Sequence, residues 1–455
     1  MPFRTSTKSA RVSRRSVRRG SYSVLWSSSL VACLVLLVAT CVSTGQASSS
    51  GDVPTGGITL APNSHDAIPL AYFGMNLAGS AWKHPWPSID VGAVRIFDSA
   101  WVKVEPQRGV WDFSHLDDDI VEAQKHHAEV DLVLSSTPTW ASARPTETSK
   151  FAWQTPGIRA EAGDMADWEL YVRTVSTRYK GKVRNYEMWN EPNLGNSFSG
   201  DVPHLVQLCR AAYKTLKSVD QLIKVISPSP APGEGLTYLR SFLEAGGGDT
   251  FDVLGFHFYD NLSADRIHPE SIVGTATQLR SLLASYKLTQ EPIWNTESGY
   301  FIHSSPTAKA YIKNYPAHVH VLSQGEAVDA VARSYALGWA CGIERFYWYG
   351  WGEPAYAIVD DNGNTLKDAT LAYANITRWL LGATIVSVHH AESRWVVQSR
   401  SSKGVNQYIV WTNEEKAKFA VPKEWKVSEK DNLKGDHASL STSDIDLTGT
   451  PVLLH

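Results

Sequence analysis

The sequence predicts an α/β protein, a (β/α)8 TIM barrel with a small C-terminal β-sandwich attached. Between residues 66 and 383, eight short apolar runs alternate with helical periodicities, which is the strand count of such a barrel. No glycine-rich phosphate loop follows any of these runs, which disfavours a doubly wound open sheet. After Gly382 the pattern changes to short strand-like runs separated by polar turns, the signature of a sandwich spanning 384–455.

Residues 1–47 form a leader. It holds seven basic residues, from Arg4 to Arg19, and no acid. The stretch Val24–Val42 is almost uncharged, and Gly45-Gln46-Ala47 supplies a small-x-small cleavage site. Basic, apolar and small segments in that order make an export signal. The apolar stretch also has 19 residues, close to the roughly 20 that span a bilayer as a helix. The segment therefore reads as either a cleaved signal peptide or a membrane anchor. Either exports the remainder, to the periplasm or the extracellular space, and an anchor would associate it with the inner membrane.

Residues 48–65 are a linker, rich in Ser and Gly up to Gly57, and Ile58–Ala61 could lend the sandwich a strand. Barrel strands are expected at Ala71–Asn76, Ala93–Phe97, Val130–Ser135, Arg184–Asn190, Lys224–Ser227, Val253–Tyr259, Pro292–Thr296 and Arg345–Tyr349. Among the helices, Asp164 should cap Asp164–Tyr179, whose inner face is Trp168, Tyr171, Val172 and Val175. Sandwich strands are expected at Val386–His389, Trp395–Ser399, Gln407–Thr412, Phe419–Val421 and Val452–Leu454. Past the leader only Cys209 and Cys341 remain, both in apolar settings, so buried thiols are expected and no disulfide framework.

Composition narrows the function. Taking the seven leader cations from the 43 basic residues leaves 36 against 46 acidic ones, a net −10. Such a body lacks the basic footprint that phosphate contact demands, so no nucleic-acid partner is expected. No cofactor and no metal are expected either. His126-His127 and His389-His390 are adjacent pairs without the i, i+4 spacing of a helical zinc motif. A Gly-x-Ser-x-Gly elbow is also missing from the sequence.

Active sites of such barrels lie at the C-terminal strand ends. Strand four ends Glu187-Met188-Trp189-Asn190-Glu191-Pro192, and strand seven ends Trp294-Asn295-Thr296-Glu297-Ser298-Gly299. Each brings a carboxylate to the barrel mouth, and two facing carboxylates are the minimum apparatus for cleaving a glycosidic bond. Glu187, deeper in its strand, reads as structural. His257 and Tyr259 share one face of strand six by the period-two rule.

Trp189-Asn190-Glu191-Pro192 together with Thr296-Glu297-Ser298-Gly299 resembles the clan of retaining glycosidases with glutamates on barrel strands four and seven. Within that clan the chain is most similar to family 39, and there to bacterial exopolysaccharide endoglycosidases of biosynthetic operons. Val94-Arg95-Ile96-Phe97-Asp98, Gly109-Val110-Trp111-Asp112-Phe113 and Thr137-Pro138-Thr139-Trp140 agree with it. The resemblance implies that Glu191 is the acid/base and Glu297 the nucleophile. It also implies that Asn190 binds the sugar 2-hydroxyl and that Arg95 keeps the nucleophile ionised. Tyr259 would then donate its hydroxyl to Glu297, with His257 nearby.

Indole faces suit the C–H faces of sugar rings. Of the Trp residues near strand ends, Trp348 is the leading subsite candidate, and Trp140 is another. The reading is a retaining glycoside hydrolase whose partner is a polysaccharide or oligosaccharide, endo-acting on a bacterial exopolysaccharide. The alternatives are an exo-acting β-xylosidase-type enzyme and a non-catalytic polysaccharide-binding protein of an export complex.

Overall fold

The computed structural model describes residues 58–60, 66–77, 86–148, 155–260, 267–303, 320–353, 355–359 and 366–455. The leader with its apolar segment Val24–Val42, and Trp82, one of the Trp residues expected near a strand end, lie outside the described residues. Among the described residues no helix is long and apolar enough to cross a membrane.

A first strand, β1 (Ile58–Leu60), pairs antiparallel with the sandwich strand that begins at Thr384. The barrel follows as β2 (Phe73–Asn76), β3 (Ala93–Ile96), β4 (Glu129–Leu134), β5 (Asn185–Met188), β6 (Lys224–Ile226), β7 (Leu254–His257), β8 (Ile293–Ser298) and β9 (Ile343–Trp348). Neighbouring strands pair in parallel, β9 returns to β2, and a parallel bridge from Ile226 to Val253 closes the ring. These strands are almost wholly buried, because helices cover the outside while side chains fill the inside. Ala93, Ile226, Val253, Trp294 and Tyr347 form one apolar cluster within it. Polar residues lie further along the strands, at the ends that carry chemistry.

The helices are α1 (Trp101–Val104), α2 (Ser114–Lys125), α3 (Met165–Arg178), α4 (Val202–Val219), α5 (Gly235–Glu244), α6 (Ser271–Ser285), α7 (Gln324–Ala340) and α8 (Asp368–Leu380). Asp164 caps α3 by accepting from the Ala166 N–H, and Trp168, Tyr171, Val172 and Val175 form its buried face, as the sequence predicts. Helix α7 opens on a Ser323/Glu326 capping box and is buried on nearly every side, since it packs against both α8 and the sandwich. Cys209 and Cys341 are both buried free thiols.

The sandwich contains β10 (Thr384–Ala391), β11 (Arg394–Arg400), β12 (Asn406–Thr412), β13 (Ala417–Ala420), β14 (Glu429–Asp431), β15 (His437–Ser439), β16 (Asp444–Leu447) and β17 (Val452–Leu454). One sheet runs β1-β10-β11-β12-β17-β14-β15, and β13 pairs with β16 as a two-stranded ribbon. Tyr408, Val410 and Leu454 of the sheet meet Phe419, Ile445 and Leu447 of the ribbon. The alternate β12 residues, Ile409 and Trp411, belong to the main core on the other face. Both faces of β12 are therefore covered, which explains its unbroken apolar run. Polar ties fix the sandwich to the barrel: Trp411 Nε1 donates to Glu270 at 2.9 Å and Arg333 Nε to Gly449 O at 2.7 Å.

Candidate active site

A regular strand sends successive side chains to opposite faces. At the end of β5 the backbone breaks that rule. Trp189 and Glu191 adopt left-handed φ values of 61° and 46°, a conformation costing roughly 1–2 kcal/mol per non-glycine residue. Hydrogen bonds hold it: Trp189 N–H donates to Leu134 O at 3.0 Å and Glu191 N–H to Ser229 O at 3.0 Å. Asn190 and Glu191 can then both turn into the barrel mouth. Opposite them, β8 pairs irregularly with β7 and β9 around Thr296 and Glu297, where Glu297 arrives.

Arg95 joins the two sides from the buried interior. Its Nε and Nη2 donate to the two oxygens of Glu187 at 2.7 and 2.8 Å. Nη1 donates to Glu297 Oε2 at 2.7 Å and to Asn76 at 3.2 Å, while Nη2 also reaches Asn190 Oδ1 at 2.8 Å. All five N–H groups of the guanidinium are thus used. Burial alone would lower the Arg95 pKa, but the Glu187 and Glu297 carboxylates outweigh it and hold the cation above its ordinary value.

Glu297 Oε1 accepts the Tyr259 hydroxyl at 2.7 Å. Burial first, and the Glu297 charge second, push the Tyr259 pKa well up, so the hydroxyl keeps its proton. His257 Nδ1 lies 3.0 Å from Glu191 Oε1 and 4.0 Å from Glu297 Oε1, so the imidazole serves Glu191 more closely than Glu297. One carboxylate oxygen from each glutamate and a His257 nitrogen lie within 4.8 Å of one another. Such a trio has the spacing of a metal set, but both Glu297 oxygens already face Arg95 and Tyr259. The guanidinium supplies the positive charge there.

Two residues of this network escaped the sequence reading. Asp131 is wholly buried on β4, beside Arg95 in register. Burial first, then repulsion from Glu187, raises its pKa well above the ordinary carboxylate value despite the nearby Arg95. Its signal was a lone acid inside Val130-Asp131-Leu132-Val133-Leu134. Asn76, at the end of β2, accepts from Arg95 and donates to Thr296 O at 3.3 Å.

The glutamates open into a cleft of about 420 Å³ whose aromatic lining is Phe97, Trp189 and Tyr349. Neither Trp348 nor Trp140 is in that lining, and the burial of Trp348 corrects the expectation of a sugar platform there. Trp348 has no exposed surface and packs against Tyr300 at 6.0 Å. Trp140 donates to Glu105 O at 3.0 Å, and one face lies under Arg108 at 4.5 Å. In the sandwich, Trp395 and Trp411 stack on each other and Trp425 stacks on Tyr408, so these rings serve packing.

Residues 164–365 match the family model described as glycosyl hydrolase catalytic core, and residues 86–174 match the one described as β-galactosidase. No curated protein matches the chain. Among solved structures it is similar to a family 39 glycoside hydrolase from the gut symbiont Bacteroides cellulosilyticus WH2, at 17% identity over 85% of this chain and 81% of that one, with a TM-score of 0.62. It is also similar to a monomeric β-xylosidase from Caulobacter crescentus CB15, at 14% identity over 87% and 98% of the two chains and a TM-score of 0.59. A GH30 endoxylanase from Clostridium papyrosolvens C71 matches at 12% identity over 87% and 98%, with a TM-score of 0.57. At these identities the likeness is one of fold.

Proposed function

On this (β/α)8 barrel, we propose a retaining β-glycosidase that hydrolyses O-glycosyl bonds, with Glu297 as nucleophile and Glu191 as acid/base. One observation carries the reading: carboxylate oxygens of the two residues lie within 4.8 Å of each other. Retention needs the carboxyl groups about 5–5.5 Å apart, whereas inversion needs about 6.5–9.5 Å to admit a water.

The surroundings divide the labour. Arg95 and the Tyr259 hydroxyl each donate to one oxygen of Glu297 and fix its carboxyl group. Glu191 has a side chain 22% exposed, with His257 against one oxygen, which suits a group that exchanges protons with substrate and water. In the first step a Glu297 oxygen bonds to the anomeric carbon, the glycosidic C–O bond breaks, and Glu191 gives its proton to the departing oxygen. In the second, Glu191 takes a proton from water, whose oxygen displaces Glu297 from the sugar. Asn190 Oδ1 is spent on Arg95, which leaves its amide N–H groups for the 2-hydroxyl.

The substrate is proposed as a bacterial exopolysaccharide cut internally, on the strength of the sequence resemblance. Lys103 and Arg159 line the cleft but face Asp98 and Glu147. That pairing favours a neutral glycan over a strongly anionic one. The β-xylosidase and endoxylanase among the similar structures make a xylan-type chain the second candidate. Export, as a cleaved or anchored protein, is proposed from the leader sequence.

The test compares wild type with Glu297→Gln on bacterial exopolysaccharides, xylans and mannans, following new reducing ends and product sizes. Mid-sized oligosaccharides from wild type alone are expected. Monosaccharides alone would favour the exo-acting alternative, and retained binding with no cleavage would favour a binding protein.

A further inference from the structure

Away from the cleft, β14, β15 and β17 bring two imidazoles and two carboxylates onto one face of the sandwich edge. Register does this. Glu429 and Asp431 are two apart on β14, so their side chains share a face. His437 stands directly across from Asp431. His455 follows β17 and opposes Glu429, each donating its N–H to the other's carbonyl, at 3.1 and 2.9 Å.

The side chains meet in a ring. His437 Nδ1 lies 2.7 Å, and His455 Nε2 3.4 Å, from the same Asp431 oxygen, Oδ1. The other two ring nitrogens, His437 Nε2 and His455 Nδ1, each lie 3.5 Å from a Glu429 oxygen. A neutral imidazole carries one N–H, so two imidazoles can satisfy only two of these four contacts. With both N–H groups on Asp431, two bare nitrogen lone pairs face the Glu429 carboxylate. A divalent cation between them converts that repulsion into coordination.

We propose that Glu429, His437 and His455 form a zinc site, with water in the fourth position. The three residues offer ligand atoms within 4.8 Å of one another. Zinc bonds of about 2.0–2.1 Å in a tetrahedron need those atoms roughly 3.3 Å apart, a small adjustment for partly exposed side chains. Asp431 is the outer carboxylate: it accepts from His437 Nδ1 at 2.7 Å and, with His455 Nε2 3.4 Å away, would hold that imidazole too once zinc draws it in. Its second oxygen, Oδ2, lies 3.9 Å from Arg378. Two imidazole nitrogens favour zinc over magnesium or calcium, and its charge offsets the two carboxylates. Hydrolysis does not depend on this site; it clasps three strands of the sandwich edge.

The test strips the full-length chain with a chelator, dialyses it against zinc chloride and counts bound metal. One zinc per chain is expected, with a rise of several degrees in Tm, because a ligand bound only by the folded state stabilises it. Joint His437→Ala and His455→Ala substitution should abolish both responses. Asp431→Asn keeps all three ligands and should weaken zinc binding about 10- to 100-fold. Glu297→Gln should retain zinc fully, which separates this site from the cleft. Failure of wild type to retain zinc, or equal retention by the double histidine variant, overturns the proposal.

Discussion

Arg95 and Glu187 are joined by two parallel hydrogen bonds of 2.7 and 2.8 Å inside the barrel, and neither side chain has exposed surface. This pair fixes the plane of the guanidinium, which then presents its remaining N–H groups to Asn76, Asn190 and Glu297. Glu187→Gln leaves a buried cation short of a partner, a change that typically costs about 3–5 kcal/mol. Denaturant titration should register that loss. The loosened fork should also lower kcat by roughly 100-fold through misplacement of Glu297, with a much smaller change in KM.

The Tyr259 hydroxyl gives Glu297 a second fixed donor, 2.7 Å away. Hydrogen bonds to charged groups are worth about 1.5–3 kcal/mol, so Tyr259→Phe should lower kcat on the order of 10- to 100-fold. Steady-state kinetics on a cleaved glycan would check it. An unchanged kcat would remove Tyr259 from the site.

Buried Asp119 has its pKa pushed up to about 8 from an ordinary 3.8, by burial first and by the Asp98 charge second. The folded state therefore holds a proton that the unfolded chain releases. Its stabilising contribution is complete below about pH 4 and is lost as pH rises towards about 8, at up to about 1.4 kcal/mol per pH unit. Asp119→Asn carries its N–H at every pH. Its melting temperature should match wild type near pH 4.5 and exceed it near pH 8; a constant difference across that range contradicts the assignment.

The aromatic residues separate by position. Tyr349 lines the cleft, whereas Trp140 is held by Glu105 and Arg108 outside that lining. Tyr349→Ala should raise KM several-fold with modest loss of stability. Trp140→Ala should lower Tm and leave KM nearly unchanged.

Much of this arrangement was legible in the sequence because the barrel writes itself in apolar runs that stop at polar strand ends. Trp189-Asn190-Glu191 and Thr296-Glu297 stood out for that reason. Asp131 was visible as a lone acid in an apolar strand, but its raised pKa depends on burial and on Glu187, which lies 56 positions away in sequence. Trp348 misled because period and position place it at a strand end, while in the fold its ring packs against Tyr300 with no exposed surface. Strands β14 and β15 carry Glu429-Lys430-Asp431 and His437-Ala438-Ser439, which have almost no apolar residues to announce them. The histidines of that edge meet Glu429 only through cross-strand register, so their spacing in the chain gave no motif.

The central claim is that Glu297 and Glu191 work by double displacement. The most direct measurement is proton NMR of the first reducing ends released from whichever β-linked glycan the protein cleaves, taken before mutarotation. The account predicts β-anomers first, with the α form growing in afterwards and no release by Glu297→Gln. Initial α-anomers would mean inversion and would contradict it.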